Sequence, residues 1–152
     1  MLAVRKLEDV DRLGAALRAA PAPAGELIQT LIMQTCTRLP NLGARESERM
    51  GRLIAAGAWT DAALAVLAGE LPHWQLRRLA YDDGEWHCAL SREPHMPEAL
   101  DDTAHGHHEH AALAILDAFL EARRRSLAAA PRRTVPQVRP AAGQAVCVDN
   151  FA

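Results

Sequence analysis

Apolar residues recur at spacings of three and four through the first half of the chain. Between Val4 and Ala20, Leu7, Val10, Leu13 and Leu17 form one stripe with charged residues between them, the signature of a helix that buries one face. Pro21 and Pro23 end it. A second helix is expected from about Ala24 to Leu39, with Leu27, Ile28, Leu31, Ile32 and Cys36 inward and the turn Pro40-Asn41-Leu42-Gly43 behind it. A third, from about Ala44 to Ala56, sets Met50, Leu53 and Ile54 against a wet face of Arg45, Glu46, Glu48, Arg49 and Arg52, and Gly57 suits its C-terminal cap. Thr60 then reads as the N-cap of a fourth helix over about 61–71, where Asp61 complements the dipole and Leu64, Val66, Leu67 and Leu71 face inward.

The period changes after Pro72. Over 74–91 two alternating runs flank Asp83-Gly84, the two-residue loop of a type I′ hairpin, whose central residues both take positive φ. Pairing outward from this loop sets Tyr81 against Trp86, Leu79 against Cys88 and Arg77 against Leu90 on one face. The other face carries Leu76, Arg78, Ala80, His87, Ala89 and Ser91. A proline-broken loop follows from Glu93 to Asp102, then a long helix over about 103–127 whose stripe is Leu113, Leu116, Phe119 and Leu120, joined by Ala112 and, at its edge, Ile115. The pattern predicts a single α+β domain over 1–127, mostly helical, with one central β-hairpin and a long C-terminal helix. Residues 128–152 read as a flexible tail containing arginine, with one short β-prone run at 145–148.

Composition sharpens this picture in two respects. Alanine supplies 31 of the 75 apolar residues among 152, leaving 44 larger apolar side chains, so the core must be thin. Gly at 9 and Cys at 3 exclude a collagen-like repeat and a disulfide scaffold. The net charge of -2 hides an asymmetry: residues 1–121 carry 11 basic and 18 acidic side chains, residues 122–152 six arginines and one aspartate. Cys36, Cys88 and Cys147 are widely spaced and odd in number, as expected of reduced thiols in a cytoplasmic protein. Acidic residues at Glu8, Asp9 and Asp11 interrupt any secretory signal, and no apolar run is long enough for a membrane span.

Candidate chemistry is sparse. The run His105-Gly106-His107-His108-Glu109-His110 supplies ligands suited to zinc or nickel. On a helix His105, His108 and Glu109 fall within one turn of each other, with His95 or Asp101 as further ligands. The spacing matches no specific metal motif, and the opposing expectation is a solvated helix start with no cofactor. His87 and Cys88 cannot pair as base and nucleophile, because adjacent strand residues face opposite ways, so Cys88 is expected in the core. No phosphate-binding glycine loop or nucleophile elbow is present, and the chain does not read as an enzyme. The arginines from Arg123 onward could meet phosphates, yet no aromatic is interleaved with them, which disfavours nucleic acid. The segment 61–70 holds no side chain able to read bases.

A lone hairpin leaves two open edges and is marginal in water. The long helix, the 145–148 run or the hairpin of a second subunit could cover it, and the thin core favours a homodimer. Leu79, Tyr81, Trp86 and Leu90 then either complete the core or anchor a partner. Arg77 and Arg78 project from opposite faces, which leaves one of them for an acidic partner.

Residues 58–125 resemble a group of short, uncharacterised alphaproteobacterial proteins. Ala58-Trp59-Thr60-Asp61-Ala62-Ala63-Leu64, Trp74-Gln75-Leu76-Arg77-Arg78-Leu79, Gly84-Glu85-Trp86-His87-Cys88-Ala89-Leu90-Ser91 and Ala114-Ile115-Leu116 carry the likeness. It implies a soluble bacterial protein and transfers no activity, cofactor or site residue. The function expected from the sequence is an interaction or regulatory module, self-associating through or near the hairpin or binding an unidentified protein. Metal binding at the histidine run and nucleic-acid binding through the basic segment are the alternatives.

Overall fold

The computed structural model describes residues 2–129, and the elements follow the order α1 (Leu2–Ala19), α2 (Gly25–Thr35), α3 (Ala44–Ala55), α4 (Trp59–Glu70), β1 (Gln75–Asp82), β2 (Glu85–Ser91), β3 (Thr103–His108) and α5 (Ala111–Ala128). The described residues form an α+β domain: five α-helices and a three-stranded antiparallel sheet of order β1-β2-β3. α5 lies between the sheet and the other helices, touching β2 and β3 on one side and α1 and α4 on the other. It is therefore buried almost all round, with Leu113, Ile115, Leu116 and Phe119 fully enclosed together with Ala114, Ala118 and Ala122. The thin core that composition implies is realised by close approach. Small side chains on α4 (Ala62, Ala63) and α5 let helices and sheet meet at short range, so dispersion contacts replace bulk.

The helix ends have local causes. Gly57, at φ +67°, closes α3: its N–H reaches Ile54 O at 3.1 Å while Ala58 N–H reaches Leu53 O at 2.9 Å. These two bonds are the Schellman pattern that satisfies terminal carbonyls. The next helix starts at Trp59, one residue before the expected cap, so Thr60 lies inside its first turn and Ala58 enters without a side-chain cap. α2 stops at Thr35 and not at Leu39, because the buried Glu70 carboxylate takes the N–H groups of Thr37, Arg38 and Leu39 at 2.9, 2.8 and 2.9 Å. Pro40 fits the start of a new, short turn, where its missing N–H leaves no donor unsatisfied. A 3-10 turn at Leu39–Asn41 results.

The hairpin turn forms as expected, with Asp83 at φ +49° and Gly84 at φ +88°. Tyr81 pairs with Trp86 and Leu79 with Cys88, but a bulge between Leu76 and Arg78 moves the pairing beyond it. Leu76, not Arg77, stands opposite Leu90, which keeps an apolar pair together and expels Arg77 toward the 92–102 loop.

The largest departure from the sequence reading lies at 103–108, where a strand replaces the first turns of the long helix. Ala104, Gly106 and His108 are buried, while His105 and His107 are exposed and Thr103 is partly covered, a period of two. Gly106 is a poor helix interior residue, and the open edge of β2 offers backbone hydrogen bonds along the full length of β3. β3 therefore covers one hairpin edge and α5 covers the adjoining face. The 145–148 run and the expected tail over 128–152, apart from its first two residues, lie outside the described residues. No helix among the described residues is long and apolar enough to cross a membrane.

Candidate functional site

The hairpin residues singled out by sequence divide between core and surface. Cys88 and Leu90 are buried in the core, and Leu79 and Trp86 are partly buried against it. Tyr81 is 62% exposed and Leu76 40% exposed on the same side of the sheet. The division follows from α5, which packs chiefly on β2 and β3. Tyr81 stacks obliquely on Trp86, ring centres 5.4 Å apart, and otherwise faces solvent.

The two outer strands differ in how their free edges are finished. On β3, the N–H of His107 points away from β2 and is received by Asp117 of α5 at 3.2 Å. The same buried carboxylate accepts Arg18 of α1 at 3.1 Å. A side chain thus occupies an outward N–H near the end of that strand, a local device against unwanted strand pairing. Among the described residues no side chain does the same along β1.

Arg77 and Arg78 take different roles. Arg77 pairs with Asp101 at 3.0 Å and also donates to Met96 O. Asp101 accepts Ser91 Oγ and, at 2.9 Å, the N–H of Glu93. This cluster pins the loop that carries β2 into β3. Arg78 lies exposed on the outer face and makes no ion pair among the described residues.

The hydrogen bond from Ser91, then those from the Glu93 amide and Arg77, hold the Asp101 carboxyl below the usual carboxylate range. A depressed carboxylate stabilises the fold above its unfolded pKa, roughly 3.9, and loses that contribution as pH falls through its folded value. Wild type and D101N should therefore differ in urea midpoint at neutral pH and converge in acid. A difference that persists unchanged into acid would refute the role given to this cluster.

The metal ligands proposed from the helical reading are not assembled. As strand residues, His105 and His108 face opposite sides of the sheet. His108 is buried with both ring nitrogens engaged, Nε2 by Ala20 O at 3.1 Å and Nδ1 by the N–H of His110 at 3.1 Å. Glu109 is exposed in the turn before α5. Among the described residues no group of three or more His, Cys, Asp or Glu side chains is arranged to hold a metal ion. The strand instead puts His105 and His107 beside His87 on the outer face, over a concavity of about 320 Å³ floored by Ala80 and Ala89 and edged by Arg78 and Asp82. His87 and His107 stack at 6.1 Å, and Glu85 holds His107 Nδ1 at 3.2 Å. The spacing of two between His105 and His107 was the sequence signal for this arrangement.

Cys88 points to the core, away from these imidazoles, and burial pushes its thiol up to about 12, as it does for Cys36. Neither is a nucleophile at neutral pH. The arginines of α5 are ion-paired: Arg123 to Glu70 of α4 at 3.4 Å, Arg124 to Glu121 of its own helix at 3.1 Å with its side chain half exposed, and Arg125 to Glu121 and Asp102, each at 2.9 Å. Arg132, Arg133 and Arg139 lie outside the described residues. Glu70, which closes the apolar run of α4, and Asp117, which lies inside that of α5, escaped the sequence reading. The chain matches no protein-family model, no curated protein and no solved structure, so geometry alone carries the functional reading.

Proposed function

We propose that this chain is a protein-interaction module that receives a β-strand of its partner on the free edge of β1. The observation that carries the reading is the contrast between the edges: Asp117 takes an outward N–H of β3, whereas among the described residues nothing pairs with the free edge of β1, and Leu76 and Tyr81 lie uncovered beside it. Strand addition uses main-chain hydrogen bonds for affinity and alternate side chains for selectivity. Both are supplied here. The flanking Asp82 and Glu85 close the two-residue loop as a hydrogen-bonded pair, so by alternation Ala80 and Asp82 bond to β2 while Leu79 and Tyr81 direct their N–H and C=O groups outward. Arg78 adds a charge on the outer face, and the bulge at Arg77 bounds the usable edge.

Amide exchange tests the reading directly. The full chain, held dilute, is titrated with a panel of short peptides that carry apolar residues at alternate positions. Slowed exchange at Leu79 and Tyr81 is expected with at least one of them. If these two amides exchange freely with every peptide, β1 is not a docking edge.

A further inference from the structure

We infer that the strand received by β1 is β1 of a second copy, antiparallel to the first about a twofold axis through Ala80. This rests on the docking reading above and adds the partner and its register. Two physical conditions select the register. Outward-pointing backbone groups belong to Leu79 and Tyr81, so odd-numbered residues must meet odd-numbered residues, and paired residues must share a face of the joined sheet. Only a few registers satisfy both.

Centring on Leu79 sets Arg77 opposite Tyr81, but Arg77 sits at the bulge and is tied to Asp101. Centring on Tyr81 pushes Leu79 against the hairpin turn at Asp83, where pairing ends. Centring on Ala80 pairs Leu79 with the second copy's Tyr81 twice, on the side where Tyr81 is 62% exposed. It also sets Arg78 opposite the second copy's Asp82 twice, at the non-hydrogen-bonded positions where side chains approach most closely. The strand is thus complementary to itself in charge and in apolar contact. The product is an isologous six-stranded sheet with both α5 helices on one side and the imidazole-bearing concavities on the other.

The charge pattern permits a register-specific test by sedimentation of the full chain. Wild type is expected to dimerise. R78D and D82R, each placing like charges opposite one another at two positions, should weaken the dimer by roughly thirtyfold or more. An equimolar mixture of the two variants restores both opposite-charge pairs and should recover the dimer. Positions 78 and 82 are exposed, and thermal melts matching wild type establish that each variant folds. A concentration-dependent slowing of the Leu79 and Tyr81 amides in wild type is the second readout and needs no variant. A wild type that stays monomeric at millimolar concentration overturns the inference, as does a dimer indifferent to R78D and D82R. If either result accompanies peptide protection of β1, docking stands and only the second copy falls; without such protection both fall.

Discussion

Replacing Gly106 by alanine should unfold the protein or leave it barely stable. A Cβ at this position would lie 2.5 Å from Ala114 O and 2.8 Å from the carbonyl carbon of Asp117, and closer still to the N of Ala118. All three are backbone atoms of α5, the helix at the centre of the domain, so relief requires the whole helix to move off β3. Ordinary overpacking costs about 1–3 kcal/mol because side chains can adjust. Here no side chain is available to yield, and the loss should exceed about 3 kcal/mol, a large share of the roughly 5–15 kcal/mol that holds a domain together. Shifting α5 would also pull Asp117 from the His107 amide and Arg18. Urea unfolding measures the effect. Gly51 is the control, since a Cβ there meets nothing within 4 Å in mid-helix, and G51A should stabilise by about 0.5–1 kcal/mol. A G106A midpoint equal to wild type would show that the close approach of α5 to β3 is not a constraint.

Glu70→Ala is expected to be nearly as damaging. The side chain, with the residue 4% exposed, receives three backbone N–H groups from Thr37, Arg38 and Leu39, the Thr37 hydroxyl, and Arg123 at 3.4 Å. Its removal strands the N–H of Leu39 in a buried position and releases those of Thr37 and Arg38, at the surface, to solvent. Breaking a buried, hydrogen-bonded charge by deleting one partner costs about 3–5 kcal/mol. The backbone donors, more than the ion pair, set this figure. Arg123→Met should therefore cost distinctly less than E70A, and E70Q, which keeps one acceptor oxygen but turns an NH₂ group toward donors, should fall between them. Equal losses for R123M and E70A would assign the energy to the ion pair instead.

These two residues also show where sequence reasoning stops. Gly106 sits in a histidine run that looks like ligand chemistry or a frayed helix start, and nothing local reveals that a helix backbone will rest against it. Glu70 follows an apolar run at the end of α4 and resembles an ordinary solvated terminus. The partners of both come from outside their own element: the nearest donor to Glu70 is 31 residues away, and the backbone that meets Gly106 belongs to the next helix. The same distance effect explains the metal reading. His105, His108 and Glu109 form a plausible set on a helix, and the set dissolves because the edge of β2, some fifteen residues earlier, recruits the segment as a strand. The docking edge was half legible. Its alternation, its turn and Tyr81 opposite Trp86 are local matters, whereas the exposure of Tyr81 depends on how far α5 reaches across the sheet.

Sequence alone determined the α+β class, four helical stripes, the I′ turn and the inward face of Cys88. Each of these depends on periodicity or φ preference within a few residues, where neighbouring side chains decide the outcome. Tertiary structure decided that 103–108 is a strand, that α2 ends at Thr35, that Arg77 is tied to Asp101, and that among the described residues Arg78 has no ion pair and β1 no neighbour on its outer edge. Those outcomes turn on backbone donors and acceptors being satisfied by groups distant in sequence, and only the folded chain brings such groups within hydrogen-bonding range.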